Sequence, residues 1–194
     1  MKIVPVFADV SADILEQVAN IHRGAYSHGH FTSTFDLPHL IYYNRCLIAK
    51  SDISLIAVEG GHVLGYLIAG ENVSDGVSEF IRSNRFYLIG RFLRHPEFLL
   101  ARIYWKFLVT FNPAPASTAT FRLLSIATAP AAQSRGVGAR LLSALEGRLK
   151  DCGVEKYGLS VLTRNARAVE FYRRHGFLFD LEQLDSTYFY KSVT

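Results

Sequence analysis

The chain has 194 residues and a formal net charge of +4, and 49% of its residues are hydrophobic and 20% charged. This composition excludes a disordered chain and predicts a single globular domain over residues 1–194. Two cysteines are too few for a disulfide framework and lack metal-ligand spacing, so a reducing, cytoplasmic location without a metal is expected. The first apolar run is too short for a signal peptide, no run has transmembrane length, and no nucleic-acid-binding motif is present.

The first seventy residues predict alternating strands and helices. The expected elements are a strand at 3–7, a helix capped by Ser11, a second helix at 37–50, and a hairpin of strands at 53–58 and 63–69 around Gly60 and Gly61. The polar, glycine-containing run around Gly29 predicts a loop after the first helix.

Residues 71–118 are rich in aromatic residues and arginines. Two helices are predicted here, at 77–93 and 96–110, because Gly, Pro and Ser are sparse within them and Pro96 suits a first helical turn. The preferred interpretation is a helix pair packed on its own domain. A lid over the acceptor site, an oligomer interface and an interfacial helix on an anionic membrane are the alternatives.

A glycine-containing turn joins a strand at 121–128 to a helix that begins near Gly138. The first N–H groups of a helix lack internal partners, and together with the helix dipole they favour a bound anion. Gly136 and Gly138 allow a phosphate to approach the backbone, and Arg135 can add a charge-assisted hydrogen bond. The turn therefore predicts a pyrophosphate site.

The spacing Gln133-x-x-Gly136-x-Gly138 resembles a motif of the GNAT superfamily of acyl-CoA-dependent N-acyltransferases. A second GNAT hallmark, Asn-x-x-Ala-x-x-Phe-Tyr followed by Gly-Phe, is matched by Asn165, Ala168, Phe171, Tyr172, Gly176 and Phe177. A strand at 157–162 and a helix from Asn165 to about 174 fit the expected order of elements. Two more strands are predicted at 177–181 and 187–192. The resemblance is clear over 121–192 and vaguer over 1–70.

The resemblance implies an α/β fold of the GNAT type, which is a mixed, twisted sheet with helices on both faces. The helical insert at about 71–118 would lie between the third and fourth strands, and the fourth and fifth strands would diverge to admit acetyl-CoA. Tyr172 would be the general acid that protonates the departing thiolate. The implied cofactor-binding residues are Ile126, Ala127, Thr128, Gln133, Ser134, Arg135, Gly136, Val137, Gly138, Ala139, Asn165, Phe171 and Tyr172.

The general base is not assigned by the sequence. Many GNAT members carry a carboxylate near the middle of the fourth strand, where this chain has Leu123, Leu124 and Ser125. The alternatives are Glu71, Glu79, Tyr26, His28, His30 and a water chain. His28 and His30 form a poor metal site because no cysteine or cluster of carboxylates lies near them in the sequence.

The expected function is transfer of an acetyl group from acetyl-CoA to a primary amine of a small molecule. Residues 29–35 with Tyr42 and Tyr43 resemble GNAT members associated with bacterial cell-surface sugar synthesis, so an amino sugar is the suggested acceptor. The insert is expected to wall the acceptor pocket. The alternatives are a non-catalytic acyl-CoA-binding regulatory or membrane-surface module and a protein lysine or N-terminal acetyltransferase. No nucleic-acid partner is expected, membrane contact is disfavoured, and a homodimer is left open.

Overall fold

The structure is a computed structural model that describes residues 1–26, 30–100 and 117–193. The described strands are β1 (Lys2–Pro5), β2 (Ile53–Glu59), β3 (His62–Gly70), β4 (Phe121–Thr128), β5 (Lys156–Leu162), β6 (Leu178–Gln183) and β7 (Ser186–Ser192). The described helices are α1 (Ala12–Ala25), α2 (Leu37–Ala49), α3 (Val73–Ser83), α4 (Arg85–Arg94), α5 (96–100, at the end of the described range), α6 (Val137–Asp151) and α7 (Ala166–Arg174). Short 3-10 turns lie at Phe31–Thr34 and Pro130–Ala132. No described helix is both long and apolar enough to cross a membrane.

The strands form a mixed sheet in the order β1-β2-β3-β4-β5-β7-β6. Neighbouring strands pair antiparallel except β4 and β5, which run parallel. The hairpin between β2 and β3 turns through Gly60 and Gly61, whose φ angles of 57° and 81° suit glycine. The predicted mixed sheet is confirmed, and every predicted strand is present within a few residues of its expected bounds.

Helices cover both faces of the sheet. On one face, α6 buries Leu141, Leu145 and Leu149 against the side chains of β2, β3 and β4. On the other face, α1 and α2 pack on Tyr66 and Ile68 of β3. These two apolar layers hold β4 at the centre of the molecule, between the helices.

Helix starts follow the polar residues that the sequence offers as caps. The Ser11 hydroxyl accepts a hydrogen bond from the Ile14 N–H at 3.4 Å, and the Asn165 amide oxygen accepts one from the Ala168 N–H at 3.2 Å. Both caps were predicted, and each satisfies a backbone donor that a helix end leaves free.

The insert between β3 and β4 differs in detail from the prediction. The helix expected at 77–93 is divided into α3 and α4 at Asn84, whose side-chain amide and backbone N–H both donate to the Phe80 carbonyl at 3.0 Å. Asn competes with helical hydrogen bonds in this way, which explains the break. The second predicted helix begins as expected at residue 96, and its remainder lies outside the described residues.

The inner side of the insert packs on the N-terminal helices. Phe80 and Leu88 are buried with Phe35 and Leu40 in a third apolar cluster. Phe92 stacks on Phe31 with ring centroids 4.2 Å apart. The insert therefore supports the segment that joins α1 to α2.

Candidate active site

β4 and β5 are paired only where they begin. Phe121 pairs with Tyr157 and Arg122 with Gly158, and no further pair between the two strands occurs in the described residues. Both strands continue, since β4 pairs with β3 as far as Thr128 and β5 pairs with β7 as far as Leu162. The sheet therefore opens a gap toward the carboxyl ends of β4 and β5. Ile126, Ala127 and Thr128 lie on the β4 side of that gap.

The glycine-containing turn lies directly beyond β4. Ser134 and Gly136 adopt positive φ angles of 64° and 73°, and α6 begins at the next residue, Val137. Among the described residues, no side chain caps this helix start, and its first turn contains no acidic residue. The N–H groups and the positive dipole end of α6 are thus available to an anion, as the sequence predicted.

The two glycines of the turn have different surroundings. A Cβ atom at Gly136 would have no neighbour within 4 Å, so this residue borders open space. A Cβ atom at Gly138 would lie 3.2 Å from Cζ of Phe171 and would press on α7. Gly138 therefore allows α7 to approach α6, a packing role that the sequence did not indicate.

A third close approach, at Gly65, was missed by the sequence. A Cβ atom there would lie 2.8 Å from the Ala127 carbonyl oxygen and 3.0 Å from Cγ1 of Val137. Gly65 thus lets the start of α6 sit against β3 and β4. A glycine within an otherwise apolar strand was the available signal.

Arg135 lies at the rim of the turn and is ion-paired. Its guanidinium contacts the Glu59 carboxylate at 2.5 Å, and the Met1 amino group lies 3.1 Å from the same carboxylate. Hydrogen bonds from Arg135 and the chain amine, with their charges, lower the pKa of Glu59. An anion at the turn would have to compete with Glu59 for the guanidinium.

Gln133 connects the turn to the second motif. Its side-chain oxygen accepts a hydrogen bond from the Arg167 guanidinium of α7 at 3.0 Å. Asn165 caps the same helix. These contacts fix α7, which carries Phe171 and Tyr172, relative to the turn.

Tyr172 lies on the buried side of α7, among aromatic rings. Its ring centroid is 5.3 Å from that of Phe171 and 5.4 Å from that of Phe177. Burial raises the pKa of the Tyr172 phenol, and the Tyr26 phenol adds to this effect. The hydroxyl is therefore protonated at neutral pH, as a general acid requires.

A bulge in β4 sets the polar side of the site. Ser125 is opposite Ile68 and Leu123 is opposite Ala69, so Leu124 is an extra residue without a partner on β3. Strict alternation would give Leu123 and Ser125 the same face. The bulge instead turns Ser125 toward α1, on the face opposite to Leu123.

Ser125 belongs to a hydrogen-bonded group of five side chains that we call the polar cluster: His22, Tyr26, Asn44, Tyr66 and Ser125. The Ser125 hydroxyl lies 3.0 Å from both the Tyr26 and the Tyr66 hydroxyls. The Tyr66 hydroxyl lies 3.1 Å from Nδ1 of His22. The cluster therefore forms a continuous path from Tyr26 to His22.

Asn44 fixes the tautomer of His22. Its amide nitrogen donates to the Leu40 carbonyl at 2.8 Å, so its oxygen faces Nδ1 of His22 at 3.3 Å. Nδ1 must then carry the proton, and Nε2 accepts from the Thr32 hydroxyl at 3.1 Å. Burial lowers the pKa of His22 to about 4, against the opposing Asn44 hydrogen bond, and keeps the ring neutral.

The candidate bases separate by position. Tyr26 is part of the polar cluster, and His30 packs on it with ring centroids 4.8 Å apart. Burial and the Arg164 charge lower the pKa of His30, against the opposing charge of Asp185. Glu79 pairs with Lys50 at 3.5 Å, and in the described part of the chain no hydrogen bond joins the carboxylate of Glu71 or Glu79 to the cluster. His28 lies outside the described residues.

Most of the polar cluster was not predicted from the sequence. His22 lies on the apolar stripe of α1 and is only 5% exposed. A histidine on an apolar stripe was therefore the available signal. Asn44 and Tyr66 are fully buried polar residues, and their partners come from distant elements.

Comparison with known proteins decides the family. The model of the acetyltransferase (GNAT) family matches residues 15–177. The chain belongs to the GNAT acetyltransferase family. It is accordingly an acyltransferase. A comparison with curated protein sequences finds no match.

Solved structures share the fold of this GNAT protein along its length. PH1933 from Pyrococcus horikoshii OT3 is 13% identical, with a TM-score of 0.63 and coverage of 100% of this chain and 98% of the other. PaiA N-acetyltransferase from Thermoplasma acidophilum, in complex with coenzyme A, is 14% identical, with a TM-score of 0.59 and 99% coverage of both chains. YncA from Salmonella typhimurium, with acetyl-CoA, is 17% identical, with a TM-score of 0.56 and coverage of 100% and 94%.

Proposed function

We propose that this GNAT protein transfers an acetyl group from acetyl-CoA to the primary amine of a small molecule, with an amino sugar as the acceptor class. The main support is the gap between β4 and β5, which ends at the exposed start of α6 and has Tyr172 nearby on α7. The coenzyme A and acetyl-CoA complexes of the PaiA and YncA structures also favour this co-substrate. An exposed free thiol, at Cys152, is compatible with a reducing cytoplasm.

In this proposal the turn from Gln133 to Ala139 holds the pyrophosphate. Ser134, Gly136, Val137 and Gly138 offer backbone N–H groups there, and Arg135 adds charge if it exchanges Glu59 for a phosphate. The open space beside Gly136 fits this role, because any side chain would project into it. Ile126, Ala127 and Thr128 would pair with the pantetheine amides, as an added strand does.

The thioester supplies an activated acetyl group, and a residue of the chain supplies the proton that the leaving thiolate needs. The amine nitrogen bonds to the carbonyl carbon, the carbon–sulfur bond breaks, and the amine releases one proton to water, which later restores the proton of the Tyr172 phenol. Tyr172 is proposed to protonate the departing thiolate, since its buried phenol keeps its proton at neutral pH. Asn165 caps α7 and Phe171 packs against Gly138, so both would hold Tyr172 in position.

The polar cluster supports a hydroxyl-rich acceptor. Its members are neutral at pH 7, because burial raises the pKa of the Tyr26 and Tyr66 phenols and lowers that of His22. Because the polar cluster contains no carboxylate, it offers no negative charge that could pair with an ammonium group. It suits an amine that arrives neutral on a scaffold of hydroxyl groups, as in an amino sugar.

The test is thiol release from acetyl-CoA across matched amines: amino sugars, alkyl diamines, and peptides with free N-termini or lysines. We expect turnover with amino sugars to exceed that with the other two classes. Turnover restricted to peptides would replace this proposal with a protein acetyltransferase. Tight acetyl-CoA binding without turnover on any amine would support the non-catalytic acyl-CoA-binding alternative.

A further inference from the structure

Helix α4 has apolar side chains on both of its faces. On the inner face Leu88 is buried, and Tyr87 stacks on His39 with ring centroids 3.4 Å apart. On the outer face Phe86, Ile89 and Leu93 are 75%, 54% and 76% exposed. These three residues, spaced i, i+3 and i+7, form one line along the helix, which we call the outer stripe.

A helix at the surface of a globular domain normally turns a polar face to water. The outer stripe instead exposes three large side chains, and Leu100 of α5 is a further exposed one, at 64%. Single exposed apolar residues are ordinary, but aligned ones mark an interaction surface. The inner face of α4 already packs on the domain, so the outer stripe needs a different partner.

The charged residues of the segment that carries the outer stripe are all basic. The sequence has no acidic residue between Glu79 and Glu97, but it has arginines at 82, 85, 91 and 94. Arg82, Arg85 and Arg94 are exposed, and the Arg85 guanidinium lies 4.9 Å from the centre of the Phe86 ring. The surface therefore combines aromatic and branched apolar groups with a cationic rim.

We propose that the outer stripe docks this GNAT protein on an anionic lipid surface. Phe86, Ile89 and Leu93 would enter the boundary between headgroups and acyl chains, while Arg82, Arg85 and Arg94 would face the lipid phosphates. This inference goes beyond the proposed function and does not depend on it.

Charge favours lipid over a second copy of the chain. A symmetric contact through the outer stripe would place the arginines of one copy opposite the same arginines of the other. No acidic residue lies between positions 79 and 97 to relieve that repulsion. An anionic bilayer offers both an apolar layer and the complementary charge.

Docking would bring the segment that joins α1 to α2, which borders the polar cluster, close to the bilayer. The inner face of α4 contacts Phe31, and the neighbouring Thr32 hydroxyl bonds to His22 of the polar cluster. The outer stripe and the segment joining α1 to α2 are thus separated by one helix, whose diameter is roughly 10 Å.

The test is flotation of the full chain with vesicles of phosphatidylcholine alone or mixed with phosphatidylglycerol. We expect flotation only with the mixed vesicles, and at least a roughly tenfold weaker affinity at about 0.5 M salt, because salt screens arginine attraction. Phe86→Ser with Leu93→Ser should weaken the affinity at least tenfold, and Arg85→Glu with Arg94→Glu should do the same. All four side chains are exposed, so folding should be retained, and acetyl-CoA affinity and circular dichroism check this.

A matched control is Phe179→Ser. Phe179 is likewise an exposed aromatic residue, at 57%, but it lies on β6, the edge strand of the sheet, and not on α4. It should float like the parent chain. The proposal is overturned if the parent chain does not float with mixed vesicles, or if the Phe86→Ser and Leu93→Ser pair floats as well as the parent. A different result would assign the outer stripe to a second copy of the chain. In that case the parent would not float, and light scattering would show a parent dimer that the Phe86→Ser and Leu93→Ser double variant does not form.

Discussion

Replacing Gly136 by Asp tests the anion site most directly. The residue has a φ of 73°, and a Cβ atom there meets nothing within 4 Å, so the new carboxylate would enter the open space at the start of α6. Two unit charges about 5 Å apart interact by about 3 kcal/mol at an effective dielectric constant of about 20. Repulsion from one phosphate charge would therefore reduce acetyl-CoA affinity roughly 100-fold.

Two variants separate charge from the other effects of the substitution. Gly136→Asn has nearly the same size and, like Asp, tolerates a positive φ at a cost of about 1–2 kcal/mol, but it carries no charge. Gly147→Asp adds the same charge to α6 at a position with open space around it. It lies about 16 Å along the helix from Gly136, beyond the screening length of about 8 Å at physiological salt.

Isothermal titration calorimetry measures the acetyl-CoA affinities of the parent chain and the three variants, and thermal melts confirm that each variant folds. We expect Gly147→Asp to bind acetyl-CoA like the parent chain and Gly136→Asn to bind it somewhat more weakly. The acetyl-CoA affinity of Gly136→Asp should be roughly 100-fold lower than that of the parent chain. Equal affinities of Gly136→Asp and Gly136→Asn would refute the reasoning, because charge at the turn would then be irrelevant to binding.

Three further outcomes follow from buried groups. Tyr172→Phe is expected to keep acetyl-CoA affinity while turnover falls by about 10²–10⁴-fold, and a fall of less than about threefold in single-turnover rates would leave the phenol a structural role. The pKa of His22 is lowered from 6.5 to about 4, so the stability it contributes is complete above pH 6.5 and is lost as the pH falls toward 4. Urea unfolding should show about 2 kcal/mol more loss between about pH 7 and about pH 5 for the parent chain than for His22→Gln, and equal losses would contradict the buried neutral ring. Gly76→Ala would place a Cβ atom 2.7 Å from the Cys46 carbonyl oxygen and should cost about 1–3 kcal/mol of unfolding free energy, whereas Gly90→Ala, with open space, should not destabilise; chemical unfolding of the pair decides.

Local sequence patterns were enough to predict most of the fold. The apolar run at 121–128 predicted β4, and Ser11 and Asn165 predicted two helix starts, because each signal acts within a few residues. The break at Asn84 was missed because an asparagine is tolerated within many helices. Only the hydrogen bond from the Asn84 side chain to the Phe80 carbonyl shows that Asn84 ends a helix here.

The candidate site was predictable on one side only. The turn around Gly136 and the helix of Tyr172 are continuous motifs, so their resemblance to the two GNAT motifs indicated them. The polar cluster joins His22, Tyr66 and Ser125 from three elements, and its geometry depends on the bulge at Leu124. The alternation of polar and apolar residues along a strand does not reveal a bulge. The face of β4 on which Ser125 lies could therefore not be predicted.

The gap between β4 and β5 leaves the protein with fewer inter-strand hydrogen bonds than a closed sheet would have. A ligand that binds only the folded chain adds about 2.7 kcal/mol to the unfolding free energy when its concentration is 100 times its dissociation constant. A cell that runs short of acetyl-CoA would, on this basis, hold a less stable form of the enzyme, more open to proteases. On the proposed function, acetyl-CoA that pairs with the free edges of β4 and β5 would therefore stabilise the folded chain as well as supply the acetyl group.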